Sequence, residues 1–343
     1  MNETTIVAAA ALQQAVSNAL AAAGADAESV STATRAMMHA SLLGIDSHGV
    51  RLTGHYCAMM KGGRINPRPV PKILNRTAAS AILDADDALG HLAGYRAMAL
   101  ACELAAESGV GAVGVRRSSH LGAAGAYALA GAEAGYIGFA TTNTDSMVAL
   151  FEGAARFHGT NPLAFAAPVP GQKPWLFDMA TSSIPMNRVL LHRSLQKPLP
   201  EGVAADANGH PATDADAVDM VLPLGGTGYG YKGAGLAGVA TLLSAVLTGT
   251  TLDPDFIPMY GTPDDKTPRN MGHFVLALSP DHFAGRAVYE SGILRYLDAL
   301  RGAPAREGGR VMAPGDREWE TLARREREGI PIDPDTARFL GFA

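Results

Sequence analysis

Cysteine is nearly absent from this sequence: Cys57 and Cys102 are the whole complement. Two thiols cannot build a disulfide scaffold. Without a C-x-x-C or H-x-x-x-H pair, a dedicated zinc site is not indicated. Charge is also scarce. Charged residues make up 18% of the chain, against about 25% in an average globular protein. The net charge of −5 leaves no basic excess for a nucleic-acid-binding face. A long charge-free stretch, Gly233 to Leu252, is dominated by Gly, Ala, Thr and Ser. It reads as a buried core helix rather than a membrane span. The N-terminus lacks a basic segment before its apolar stretch, and Gln13, Gln14 and Asn18 interrupt it. That is an amphipathic helix, not a signal peptide, and with two unpaired thiols the cytoplasm is the expected compartment.

What the chain does have is apolar content and glycine. Of 343 residues, 47% are hydrophobic, with 39 glycines and 21 prolines. Such a composition excludes disorder as the main state and suggests two packed units, at about 150 residues per domain. Little charge on so long a chain also hints at surface hidden in an oligomer.

Periodicity predicts helices over 5–24 and 26–43, with Gly44 closing the second, and another over 52–62. The proline-rich stretch 66–71 is an extended linker. Beyond it, Lys72 to Asp84 reads as two short strands around Asn75-Arg76. Short apolar runs at Val110–Val115, Ile137–Thr142, Leu163–Ala167 and Trp175–Met179, bounded by Gly, Pro and Asn, read as strands. Helices are expected at 91–107, 123–134, 186–194, 233–248, 280–301 and 316–329. Alternating strands and helices define an α/β class.

Two glycine clusters need care. Gly109, Gly111 and Gly114 spell G-x-G-x-x-G, but a helix precedes them and a strand follows. The dinucleotide fingerprint requires the opposite order, so a Rossmann site is rejected and Gly109 is read as a helix C-cap. The cluster Gly225 to Gly233 is not a P-loop. It is either an anion site at a helix start or a tight packed loop.

Of the ten histidines, His39 and His55 lie on helices, and His192, His210 and His282 sit among polar neighbours. Two stand out. His48 lies in a loop between Ser47 and Gly49 with Arg51 close by; an imidazole moves protons near neutral pH, and an arginine grips a carboxylate at two points. His120 follows a strand, where ligands gather in α/β proteins. No Ser-His-Asp order or nucleophile elbow supports a hydrolase.

Together, Asp46-Ser47-His48-Gly49-Val50, Ser118-Ser119-His120-Leu121-Gly122, Thr142-Asn143-Thr144, Gly159-Thr160-Asn161-Pro162, Phe177 to Ser182, Pro223 to Gly226 with Lys232-Gly233, and Pro314-Gly315 resemble one family. It is the malate/L-lactate dehydrogenase family, unrelated to the classical enzymes of those names, with ureidoglycolate, sulfolactate, diketogulonate and cyclic-imine reductase relatives. The resemblance implies an NAD- or NADP-dependent oxidoreductase with a non-Rossmann nucleotide site. It implies a central mixed-sheet domain (73–275) and a helical part built from both chain ends (1–72 and 276–343). A homodimer is implied too, with no nucleic acid or membrane partner.

The implied reaction is hydride transfer between nicotinamide and a small 2-oxo/2-hydroxy carboxylic acid. The alternatives are reduction of a pyrroline- or piperideine-2-carboxylate, or, in another class, an inactive nucleotide-binding protein. By resemblance His48 or His120 is the proton donor, and Arg51, Asn161 and Arg188 bind substrate. Ser47, Thr144, Asp178, Met179, Ala180, Thr181, Lys232, Gly308, Gly309 and Arg310 contact the cofactor. Two departures matter. Arg188 stands where cyclic-imine reductases can place an acid, and Asp145 could touch a substrate amine or cap a turn.

Overall fold

The computed structural model describes residues 4–259 and 261–343. Its centre is a seven-stranded mixed sheet in the order Lys72–Leu74, Ser80–Ala88, Val110–Ser118, Met271–Leu278, Ile137–Thr142, Leu163–Ala167 and Trp175–Met179. Only Ser80–Ala88 and Val110–Ser118 pair in parallel; the other neighbours are antiparallel. The helix Gly90–Ser108 makes that parallel crossover, as parallel neighbours require.

This helix and Gly125–Glu133 cover one face of the sheet over a core rich in alanine, including Ala97, Ala101, Ala105, Ala128 and Ala140. Small residues let helix and strand approach closely. A Cβ at Gly111 would lie 1.8 Å from the Ala101 carbonyl oxygen, and one at Gly138 would lie 2.3 Å from that of Ala128. Neither strand position admits a side chain, so part of the glycine content serves layer packing. Gly109, at φ +82°, caps the crossover helix before the strand starts. The inverted G-x-G-x-x-G is thus a packing motif.

The chain ends share one core. Val7, Leu12, Val16 and Leu20 pack with Met37, Tyr56, Ile330, Ile332 and Ala337. Here the structure corrects one expectation: Thr5–Val7 is a strand paired with Ile330–Ile332, and the first helix starts at Ala9. The β-branched Thr5, Ile6 and Val7 suit a strand; their partner lies at the far end of the chain. A small four-stranded sheet of Ala204–Ala205, Met220–Val221, Val148–Ala149 and Arg156–His158 forms a third cluster with helix Met186–Ser194.

Two further corrections concern the C-terminal half. The glycine cluster is not a turn before a helix at 233: the helix runs Gly226–Thr241, kinked at Tyr229, and passes into a π-helical turn Leu242–Val246. The expected helix 280–301 begins only at Arg286, after a 3-10 turn Pro280–His282. The strand Met271–Leu278 was not legible as a strand. It passes through position 275, where the sequence-based division ends the central region.

Candidate active site

A cleft of about 910 Å³ opens where the strand ends of the central sheet meet the helical part. One wall is the loop after helix Ala27–Leu42. Gly44, at φ +85°, ends that helix, and a 3-10 turn Asp46–His48 follows. Gly49 lies so close that a Cβ there would sit 2.1 Å from Ser41 Oγ, and Ser41 Oγ in turn accepts the Val50 amide. The turn therefore has one seat on the helix. Arg325, a buried guanidinium on helix Asp316–Glu328, locks it from the C-terminal side. It donates to the Ser41 carbonyl and to both oxygens of Asp46, with Nη2 2.9 Å from Oδ2. Asp46→Ala leaves that buried charge without its carboxylate. Breaking such a pair costs about 3–5 kcal/mol; since Asp46 itself is half exposed, the lower end is expected, read as a lowered denaturation midpoint.

His48 projects from this turn with Ser47 Oγ 2.8 Å from its Nδ1. His120 faces it, the ring centres 5.6 Å apart. His120 stands two residues beyond strand Val110–Ser118. Ser119 fixes that corner by donating to the Ala88 carbonyl and accepting the Gly90 amide. The Tyr56 hydroxyl lies 2.7 Å from His120 Nδ1. Burial, and then the charge of Arg51, lowers the His48 pKa to about 4. Burial, and then His48 and Arg269, holds His120 well below its ordinary value. Both imidazoles are neutral at pH 7 and ready to accept a proton. Arg51 lines the same cleft on the next 3-10 turn, Val50–Leu52.

Across the cleft, Asp178, the penultimate residue of strand Trp175–Met179, accepts the Gly125 amide at 2.8 Å, at the start of helix Gly125–Glu133. Burial raises its pKa to about 6 against the opposing pull of that amide, so the carboxylate is charged at neutral pH. Ser47, Thr144, Met179 and Ala180 line the cleft with it. The Thr144 hydroxyl is buried and has no protein partner.

The other expected site residues lie elsewhere. Thr181 is buried behind the wall, bonded to the Thr160 carbonyl. Arg188 is exposed on helix Met186–Ser194, where its neighbours Pro185 and Asn187 line the cleft and it does not. Lys232 is exposed against the rings of Tyr229 and Tyr231. Gly309 and Arg310 line a second cavity, of about 660 Å³, with Lys173, Arg301 and Trp319; Gly308 is on the same loop. The segment Met312–Gly315 separates this cavity from the cleft. Asn161 is fully buried, its amide bonded to Asp253, Thr241 and Ala237, and points at no ligand space. Asp145 pairs with buried Arg269 and accepts the Met259 amide.

Sequence reasoning missed Tyr56, the tie between Asp46 and Arg325, and the fully buried His91 and His273. His91 meets Tyr56 edge-on at 4.7 Å, and His273 lies between the hydroxyls of Thr142 and Ser118. None carries a local motif; their roles arise from contacts across the fold. Among the described residues no group of three His, Cys, Asp or Glu is placed to hold a metal ion. No described helix is long and apolar enough to cross a membrane.

A mixed sheet without a Rossmann turn, a helical part from both termini, and a cleft between them define an α/β enzyme of the non-Rossmann dehydrogenase architecture. The comparisons narrow the class. Residues 7–340 match the family model described as malate/L-lactate dehydrogenase. The chain is 36% identical over 303 residues to a malate dehydrogenase of Pyrococcus abyssi, covering 86% of this chain and 82% of that one. It is 34% identical to the NAD(+) ureidoglycolate dehydrogenase of Escherichia coli, covering 96% and 93%. The solved sulfolactate dehydrogenase of Methanocaldococcus jannaschii superposes with a TM-score of 0.90 at 30% identity, covering 98% and 95%. The chain belongs to the malate/L-lactate dehydrogenase family of oxidoreductases, whose relatives here include an NAD(+)-dependent ureidoglycolate dehydrogenase and an NADP(+)-dependent sulfolactate dehydrogenase.

Proposed function

We propose that this protein transfers a hydride between the nicotinamide of NAD or NADP and C2 of a small 2-oxo/2-hydroxy carboxylic acid. The observation that carries this is the pairing of two neutral histidines with Arg51 at one end of a cleft whose far wall holds the half-buried Asp178 carboxylate. The residues fit a dinucleotide. The cleft is within the usual size range for cofactor sites, about 300–1,000 Å³. The Asp178 carboxylate can accept hydrogen bonds from an amide or ribose hydroxyl, and Thr144 lines the same cleft. When bound, the cofactor supplies the redox chemistry.

The chain's own residues supply alignment and proton transfer. Arg51 grips the substrate carboxylate in two-point contact. His48 takes the proton from the C2 hydroxyl in the oxidation direction and returns it to the forming alkoxide in reduction. His120, oriented by Tyr56, stands on the same oxygen's side as the alternative proton carrier and as a hydrogen-bond donor to that oxygen. Gly309 and Arg310 sit beyond the cleft's end, suited to a phosphate of a dinucleotide that extends past Met312.

A panel of NADH and NADPH against pyruvate, oxaloacetate, 3-sulfopyruvate and pyrroline-2-carboxylate tests this reading. Oxidation of either cofactor by an oxo acid supports it. Activity with the cyclic imine alone gives the reaction to the alternative substrate class, and failure to bind either cofactor removes the dehydrogenase reading.

The homodimer is part of the same proposal. Leu236, Val239, Leu242 and Val246 recur at helical spacing on the outer face of Gly226–Val246, each 36–58% exposed. An apolar stripe of that kind marks an association surface. Sedimentation equilibrium should give twice the 35.5 kDa chain mass, and Leu242→Arg with Val246→Arg should return it to 35.5 kDa.

A further inference from the structure

We propose that Asp253 is a positioning residue that sets one wall of the active-site cleft through Asn143, Gly159 and Asn161. Asp253 starts a 3-10 turn, Asp253–Asp255, and its side chain is wholly buried. Five donors surround its carboxylate. Asn143 Nδ2 lies at 2.8 Å, Asn161 Nδ2 at 2.7 Å, His158 Nδ1 and the Gly159 amide at 3.1 Å, and the Thr241 hydroxyl at 3.2 Å from both oxygens. A buried carboxylate of this kind is tolerable only when its oxygens are satisfied. Here those donors outweigh the burial and keep it ionised.

The donors are not scattered. Asn143 lies between Thr142 and Thr144, Gly159 precedes Thr160, and Asn161 follows it; Thr142, Thr144 and Thr160 all line the cleft. Asn161 completes the link to the wall, since its Oδ1 accepts the Thr144 amide at 3.1 Å. It does so at φ +33°, a left-handed conformation that a non-glycine residue keeps only when its surroundings hold it. The Asn143 amide also donates to the Thr251 carbonyl. The asparagines and Gly159 of the T-N-T and G-T-N-P motifs thus turn to one carboxylate, and the threonines beside them line the cleft. Thr241 ties this hub to the helix Gly226–Thr241, so the cleft wall and that helix are set by the same group.

This inference deepens the proposed function and rests on it only for its kinetic arm. Asp253→Asn puts an amide donor among donors and removes the charge. Hydrogen exchange read by mass spectrometry should show peptides covering 142–147 and 157–163 exchanging about tenfold faster, with those covering 110–118 within about twofold of wild type. The KM for the dinucleotide should rise about tenfold while kcat stays within about threefold. Thr241→Val, which removes one donor and keeps the carboxylate, should move the same peptides in the same direction by less, and it decides the matter if Asp253→Asn does not fold. Unchanged exchange in the two loops overturns the proposal, as does a uniform rise across the sheet or a fall in kcat with KM unmoved. If the wild type turns over neither dinucleotide, the function reading fails while the exchange arm still decides this one.

Discussion

His48→Ala should lower kcat by about 10²–10⁴, the usual contribution of a positioned general acid or base, with the KM for the dinucleotide nearly unchanged. Steady-state kinetics in both directions measures it. The imidazole adjoins Ser47 and faces His120, so removing it takes away the proton carrier without disturbing the Asp178 wall. The pH dependence carries the sign. Burial and Arg51 hold the His48 pKa at about 4, so the free enzyme presents a base. For oxidation of a hydroxy acid, kcat/KM should stay level between about pH 5 and pH 8 and fall as pH drops through the pKa. Reduction needs the imidazolium, so its kcat/KM should fall about tenfold per pH unit over the same range. A variant within about threefold of wild type would pass the role to His120, with His120→Ala then showing the loss.

Arg51→Gln should raise the KM for the carboxylate substrate about 10- to 150-fold, the equivalent of one charge-assisted contact of about 1.5–3 kcal/mol. Substrate-saturation curves with the dinucleotide held in excess measure it. Arg51 also lowers the His48 pKa, so its removal should shift the reductive pH limb upward. Two effects from one side chain distinguish a carboxylate grip beside His48 from a remote structural change. Arg188→Gln is the internal comparison. Arg188 is exposed and off the cleft, and its replacement should leave both KM and pH profile in place. The same rise in KM for both variants would move the grip away from Arg51.

Much of the fold was legible where local pattern and tertiary role coincide. Ile137–Thr142, Leu163–Ala167 and Trp175–Met179 are strands end to end as expected, because their apolar runs are cut off by glycine, proline and asparagine. Met271–Leu278 escaped notice because Gly272 and His273 break its apolar run. Both residues answer to distant parts of the chain. A Cβ at Gly272 would lie 1.8 Å from the Ser244 carbonyl oxygen, and His273 is bonded by hydroxyls of two neighbouring strands. Thr5–Val7 was hidden for a similar reason, since only Ile330–Ile332 makes it a strand.

The site followed the same rule. His48, His120, Arg51 and Asp178 sit in motifs that small neighbours and strand ends mark as accessible, and they meet in one cleft. Asn161 misled because its residue type suits a ligand equally well as a buried carboxylate. Asp253, Tyr56 and Arg325 carry no motif at all. Each acts across the fold, and only the packed structure brings Asp253 to Asn161 or Arg325 to Asp46.

The most direct test of the central claim is the fate of the hydride. The enzyme would be given a 2-oxo acid it reduces together with NADH or NADPH carrying deuterium at C4 on one face, then the other, and the product examined by NMR. The account predicts that one of the two labelled forms delivers its deuterium to C2 of the 2-hydroxy acid. A hydroxy-acid product with only solvent hydrogen at C2 from both forms would contradict it.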